Sequence, residues 1–326
     1  MIAIVLIALA AGCASALMFA SIVSGALVSL LLFYLAPLPL MVAALGWGPL
    51  CATIGGIAAA TSLGALFGLS LCIAFAVAVA VPAWWLGHLA LLGRPVTDAS
   101  SGNGSAAAGT SVEWYPVGRI LLWISGFAAL TTVAALLSLG TDAASINGTL
   151  RRGLLQMIQS NRARDVATAG EFEQIVDFLA AVAPIAAAIV TTTTLTLNLW
   201  LAAKVTAISG RLQRPWPELK SAGPPAMTLV ALCVAIALCF TGGLVAIAAQ
   251  IVAATIMMIY AFTGFAVLHT VTLSVKSRAL WLACTYSIAV LFVWPIVPMA
   301  ALGLADSLFR IRQRYARTRP PPLTST

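Results

Sequence analysis

Thr191, Thr194 and Asn198 are hydrogen-bonding side chains set deep in an apolar stretch, and their i, i+3, i+7 spacing puts them on one helical face. Hydroxyls and a carboxamide hold a molecule by hydrogen bonds and do not move protons at neutral pH. The chemistry they point to is therefore recognition of a small, uncharged or amphiphilic substrate. Gln250, on a later apolar segment, adds a fourth candidate substrate-binding residue. A threonine in a membrane helix can instead bond its own i−4 carbonyl, but Asn198 needs a partner across a helix interface or in a cavity.

Groups able to do acid–base work are sparse. Lys204, His269 and Asp306 sit toward the ends of apolar segments, with no ionisable residue at mid-span. The chain has no HExxH, GxSxG, Walker or DxD arrangement, so it reads as a non-enzyme and not as an autonomous proton-driven pump. His88, behind Trp84 and Trp85, reads as a boundary residue, with no second ligand near it to suggest a metal. Cys13, Cys51, Cys72, Cys233, Cys239 and Cys284 lie in apolar segments and form no CxxC, which predicts small buried residues. No cofactor is indicated.

The elements that must position these residues follow from composition. Of 326 residues, 62% are hydrophobic and 8% charged, with mean hydropathy +1.06. Soluble domains carry roughly 45–50% apolar and about 25% charged residues, so a water-soluble fold is excluded. Long apolar runs without alternation predict an all-α polytopic transmembrane helix bundle of about eight to ten apolar helices. The net charge of +8 resides in loops and at the C-terminus, where it orients a membrane protein and does not suggest nucleic acid.

Four spans are expected at Ile2–Ala20, Ala26–Leu45, Leu50–Phe67 and Leu69–Ala90, together forming an amino-terminal membrane unit over residues 1–92. Ala10 to Cys13 loosely resembles a lipoprotein cleavage box but lacks a preceding basic residue, so the first span is expected to stay uncleaved. Pro37 and Pro39 should kink the second span. The Gly12, Ala16, Ala20 row and the Ala60, Gly64, Gly68 row have the four-residue spacing of close helix packing, and the first row is also a candidate docking face for a partner subunit.

Residues 93–118 read as a flexible Gly/Ser-rich linker, followed by carboxy-terminal membrane helices over 119–310 and a basic tail over 311–326. A fifth span is expected at Arg119–Leu139 and a sixth at Phe178–Leu201. Between them, residues 141–177 carry four arginines against five acids, which suits an extracytoplasmic segment. Leu150, Leu154, Leu155 and Ile158 share one face there, so it is either a helix on the membrane surface or capping a cavity, or a solvated connector.

After the sixth span, Lys204, Arg211, Arg214 and Lys220 face one acid, Glu218, in a proline-rich loop that positive-inside bias makes cytoplasmic. Spans at Ala226–Thr241 and Leu244–Val271, broken at Gly242 and Gly243, return the chain to Lys276 and Arg278. Trp294, Pro295 and Pro298 then divide Ala279–Phe309 into two short helices forming a hairpin, so that both termini are cytoplasmic. Asp306 and Arg310 stand i, i+4 and are expected to pair.

The ending Gly303 to Arg310 resembles the closing Gly-x-x-Asp-x-x-Phe-x-x-Arg type of pattern in the YybS-like family of bacterial multi-pass membrane proteins. Tyr34 to Pro39, Leu45 to Trp47, Val81 to Gly87 and an Asn198-bearing helix before a basic loop fit the same resemblance. In helix character the chain is also similar to the substrate-binding subunits of energy-coupling-factor vitamin transporters. That similarity implies a small-molecule ligand and a coupling subunit docked on the first helix, where Gly12, Ala16 and Ala20 lie.

Two functions are open: a permease-like protein or substrate-binding component of a small-molecule transporter, and a scaffold recruiting partners or anionic lipid through the basic tail. Both place the chain in the bilayer of a bacterial inner membrane.

Overall fold

The computed structural model describes residues 1–97, 110–160, 169–216, 223–274, 277–292 and 294–317. The Gly/Ser-rich middle of the expected linker, Arg162, Arg164, Asp165, Glu218, Lys220, Lys276 and the last residues of the tail lie outside them. The protein is an all-α polytopic bundle: among the described residues, seven helical segments are long and apolar enough to cross a membrane.

The contacts divide into two units. The first comprises Met1–Ile124 and Thr194–Pro217, and the second Ser125–Thr193 and Glu218–Thr326. The expected boundary at 93–118 is thus not where contacts separate, because two helices run from one unit into the other. These are α7, Val117–Leu137, and α9, Ala169–Ile208.

In the first unit, α1 (Ile2–Ala20) packs along α4 (Pro49–Phe67). The contact is backbone to backbone. A Cβ on Gly12 would fall on the Gly55 carbonyl, and one on Gly55 would fall on that of Ala8. Where hydrocarbon surrounds both helices, such close approach supplies the dispersion that holds them. The second span is α2 (Leu27–Leu35) and α3 (Pro37–Trp47), joined through Ala36, which keeps helical φ and ψ while the two prolines interrupt the hydrogen-bond ladder. The fourth is α5 (Leu69–Phe75), a π-helical turn over Ala76–Ala80 and α6 (Val81–Leu91). That wide turn sits just before Pro82, which lacks the amide a regular helix needs.

The ends of the expected linker are ordered, which corrects that reading. β1 (Gly93–Thr97) pairs antiparallel with β2 (Thr110–Trp114), with Arg94 opposite Glu113. β-Branched Val96, Thr97, Thr110 and Val112 favour extended backbone, and the Tyr115 amide closes the base on the Leu92 carbonyl at 2.8 Å.

In the second unit, α8 (Ala143–Ser160) is the amphipathic helix anticipated in the polar segment. Ile146 is buried and Leu150 packs beside it against Leu136 of α7 and Ile251, so its first half caps the bundle. Met157 remains exposed. Arg151 reaches Asp177 of α9 at 2.8 Å. From Phe172 to Ile208, α9 runs for 37 residues, about 55 Å at 1.5 Å per residue, well beyond a hydrocarbon core of about 30 Å.

Two expectations about the C-terminal region need correction. The span at Ala226–Thr241 shortens to α10 (Met227–Leu238) before Gly242 and Gly243, both at positive φ, start α11 (Gly243–Val271). α12 (Arg278–Leu291) and α13 (Ile296–Phe309) form, but α13 packs chiefly along α11 and not on α12 as a hairpin. The cause is a second glycine crossing: a Cβ on Gly264 would fall on the Met299 carbonyl, and one on Gly303 on that of Tyr260.

Candidate functional site

Asn198 is 1% exposed and lies in the first unit. Its Nδ2 donates to the Tyr34 carbonyl at 2.8 Å and to the Thr194 carbonyl one turn back at 2.9 Å. Both neighbours are acceptors, which orients the carboxamide with nitrogen toward them. Its Oδ1 is buried without a hydrogen-bond partner among the described residues.

The Tyr34 carbonyl belongs to the turn that Pro37 and Pro39 disturb. Those prolines remove the amides that Phe33 and Leu35 would otherwise meet four residues on. Ser15 of α1, fully buried, donates its hydroxyl to the Ala36 carbonyl in the same break. Two side chains from other helices therefore bracket the interruption. Ser15 was not singled out from sequence; a lone serine one turn beyond Gly12 in an otherwise apolar helix is the signal that could have found it.

The remaining stripe residues divide. Thr191 bonds the Ala187 carbonyl at 2.8 Å, and Thr192 and Thr193 bond their own i−4 carbonyls likewise. This is the local alternative weighed for membrane threonines. Thr194 enters the Asn198 arrangement through its backbone carbonyl. Gln250 lies half-buried on α11, in the second unit. Of the four candidates, the structure joins Thr194 and Asn198. In the row proposed for docking, Gly12 and Ala16 are buried by internal packing and Ala20 is half-buried.

The loop after α9 forms a second feature of the same unit. Lys204 Nζ lies 4.3 Å from the Trp216 ring centroid and 5.9 Å from that of Trp200, while the Arg211 guanidinium lies 4.8 Å from that of Trp47. Arg214 donates to the Ala90 carbonyl at 3.3 Å, and burial lowers its pKa from the ordinary arginine value. The ends of α3, α6 and α9 therefore meet at one rim. Deeper along α6 and α7, Trp85 and Trp123 pack edge to face at 5.2 Å. A belt of indoles beside cations marks the level where hydrocarbon meets headgroups.

In the second unit a charged pair closes the C-terminal helices. Asp306 Oδ2 accepts from Arg312 Nε at 2.7 Å and Oδ1 from the Arg312 amide at 2.8 Å. The side chains are 6% and 7% exposed. The expected Asp306–Arg310 pairing is thus replaced. Arg310 adopts φ 53° and ends α13, and the reversal carries Arg312, in α14 (Ile311–Arg317), beneath Asp306. Tyr315 then reaches the Val271 carbonyl at 3.4 Å. The start of the expected basic tail is therefore a docked helix. Ser125 and Thr255, bonded at 2.9 Å, tie α7 to α11.

At the entry to α8, Asp142 Oδ1 accepts the Ser145 amide at 2.9 Å while the Asp142 amide donates back to Ser145 Oγ at 3.3 Å, a reciprocal cap. The Ser145 amide, with its hydroxyl second, holds the Asp142 carboxyl below its ordinary 3.8. Among the described residues, no group of three or more His, Cys, Asp or Glu is arranged to hold a metal. Comparison with known protein families, curated proteins and solved structures finds no match to this chain.

Proposed function

We propose that the protein is a permease-like or substrate-binding component of a small-molecule transport system in a bacterial inner membrane, with both termini cytoplasmic. The observation that carries this reading is Asn198 Oδ1, a buried acceptor without a partner among the described residues, beside a helix whose hydrogen-bond ladder Pro37 and Pro39 interrupt. Interrupted helices are where membrane transporters line sites with polar groups. A leftover acceptor in such a place selects a ligand that donates, so the substrate is a small uncharged molecule carrying a hydroxyl or N–H. The similarity in helix character to energy-coupling-factor substrate-binding subunits points the same way. The scaffold reading loses part of its basis, since the tail begins as a docked helix whose Arg312 is buried.

The test is purification of the wild type and Asn198→Leu from native membranes in mild detergent, with mass spectrometry of extracted small molecules and co-purifying proteins. A near-stoichiometric metabolite with a hydrogen-bond donor, lost in a variant that stays helical and monodisperse, is the expected result. Equal recovery from both proteins would remove Asn198 from the site.

A further inference from the structure

We propose that the cleft at the base of the β1–β2 hairpin binds the headgroup of an anionic glycerophospholipid with one net negative charge, of the phosphatidylglycerol type. The cleft encloses about 500 Å³ and is lined by Leu92, Arg94, Glu113, Trp114, Tyr115 and Arg119, among others. Its side chains are divided as a lipid is divided. Leu92, Trp114 and Tyr115 supply apolar and aromatic surface, and the two arginines supply donors.

The arginines are not equivalent. Cross-strand pairing puts Arg94 opposite Glu113, and the two form an ion pair at 2.7 Å. Arg119, exposed on the first turn of α7, has no ion-pair or hydrogen-bond partner for its guanidinium among the described residues. Two arginines against one glutamate leave a single positive charge, which one phosphodiester neutralises. Guanidinium groups present parallel N–H donors to phosphate oxygens, which suits this ligand.

Position decides the source of the phosphate. The hairpin joins the end of α6 to the start of α7, and its base at Leu92 follows Ala90, whose carbonyl accepts from Arg214 of the indole and cation rim. A cleft at that level opens where phospholipid headgroups lie, and an anionic leaflet raises their local supply.

The experiment is native mass spectrometry of the full chain in detergent, titrated with dioleoylphosphatidylglycerol, dioleoylphosphatidylcholine or inorganic phosphate. The wild type is expected to retain one phosphatidylglycerol in preference to phosphatidylcholine, without competition from inorganic phosphate. Arg119→Gln should weaken that binding about tenfold, as loss of a charge-assisted contact does. Glu113→Gln should strengthen it by removing the competing carboxylate, an opposite sign that local damage would not produce. Arg310→Gln, in the second unit, should bind as the wild type does.

Unchanged binding by Arg119→Gln, weaker binding by Glu113→Gln, or equal retention of phosphatidylcholine would each overturn the proposal. So would an equal loss in Arg310→Gln, which would mean general attraction to basic charge. Displacement of the lipid by inorganic phosphate would reassign the cleft to a soluble anion and also overturn it.

Discussion

Asn198 in the first unit and Asp306 in the second are both almost fully buried, yet they handle burial differently. Asn198 is neutral, sits within a long membrane helix and mends a fault in another element, the proline interruption after α2. Asp306 is charged, sits near a helix end and binds a cation from the turn that follows. The difference reflects the cost of charge in hydrocarbon. A neutral amide can be carried to depth with two hydrogen bonds, whereas a carboxylate needs a full counter-charge and lies where the chain can turn to bring one.

The comparison breaks most visibly at the charged pair. Asp306→Ala removes the carboxylate that accepts from the buried Arg312 Nε at 2.7 Å, and the expected loss is about 3–5 kcal/mol. Denaturant or thermal unfolding in detergent measures it. Replacing both residues, Asp306→Leu with Arg312→Met, should recover most of that loss, since the desolvation cost leaves with the charges. If the double variant is as unstable as the single, the pair contributes through geometry more than charge.

Asn198→Leu should cost less, about 1–2 kcal/mol, for two lost hydrogen bonds and an unpaired Tyr34 carbonyl. Ser15→Ala at the same break should be partly non-additive with it, because the two side chains stabilise one turn. Strict additivity in a double-mutant cycle would show that they act on separate elements.

At the rim, Lys204→Gln removes contacts to Trp216 and Trp200 and should cost about 0.5–1 kcal/mol, as exposed cation–π contacts do. A loss as large as that at Asn198 would mean the loop after α9 holds the first unit together.

The smallest effect is expected from pH. The Asp142 carboxyl has a lowered pKa in the folded chain, so its cap on α8 is fully present above the ordinary carboxylate range. It is lost as pH falls below 3.8 through the folded value. Helix content of the wild type should decline more than that of Asp142→Asn over that acid window, as followed by circular dichroism. Equal declines would mean that the cap does not depend on ionisation.

Much of the fold was legible because membrane helices announce themselves by composition and length. The first four spans, the proline interruption and the glycine break before α11 follow from local chemistry: apolar runs, missing amides and positive φ. The hairpin was hidden because its strands are short and flank a Gly/Ser-rich stretch, whose composition reads as a linker. Of the candidate site, Asn198 was legible as a buried amide in need of a partner, but nothing local identified the partner as the Tyr34 carbonyl, 164 residues away. The threonines beside it look equivalent in sequence. The structure separates them, since three bond their own helix and Thr194 lends its carbonyl to Asn198.

Composition and spacing alone determined that the chain is a polytopic helical membrane protein, and where its helices must bend. Only tertiary structure decided which polar groups meet. Helix formation depends on neighbours within one turn, whereas Asp306 takes Arg312 in place of Arg310 because Arg310 adopts a left-handed turn. Likewise Gly264 meets Gly303, and Gly12 meets Gly55, because each pair lets two backbones touch. Such contacts depend on how helices cross, and helices of similar composition can cross in many ways.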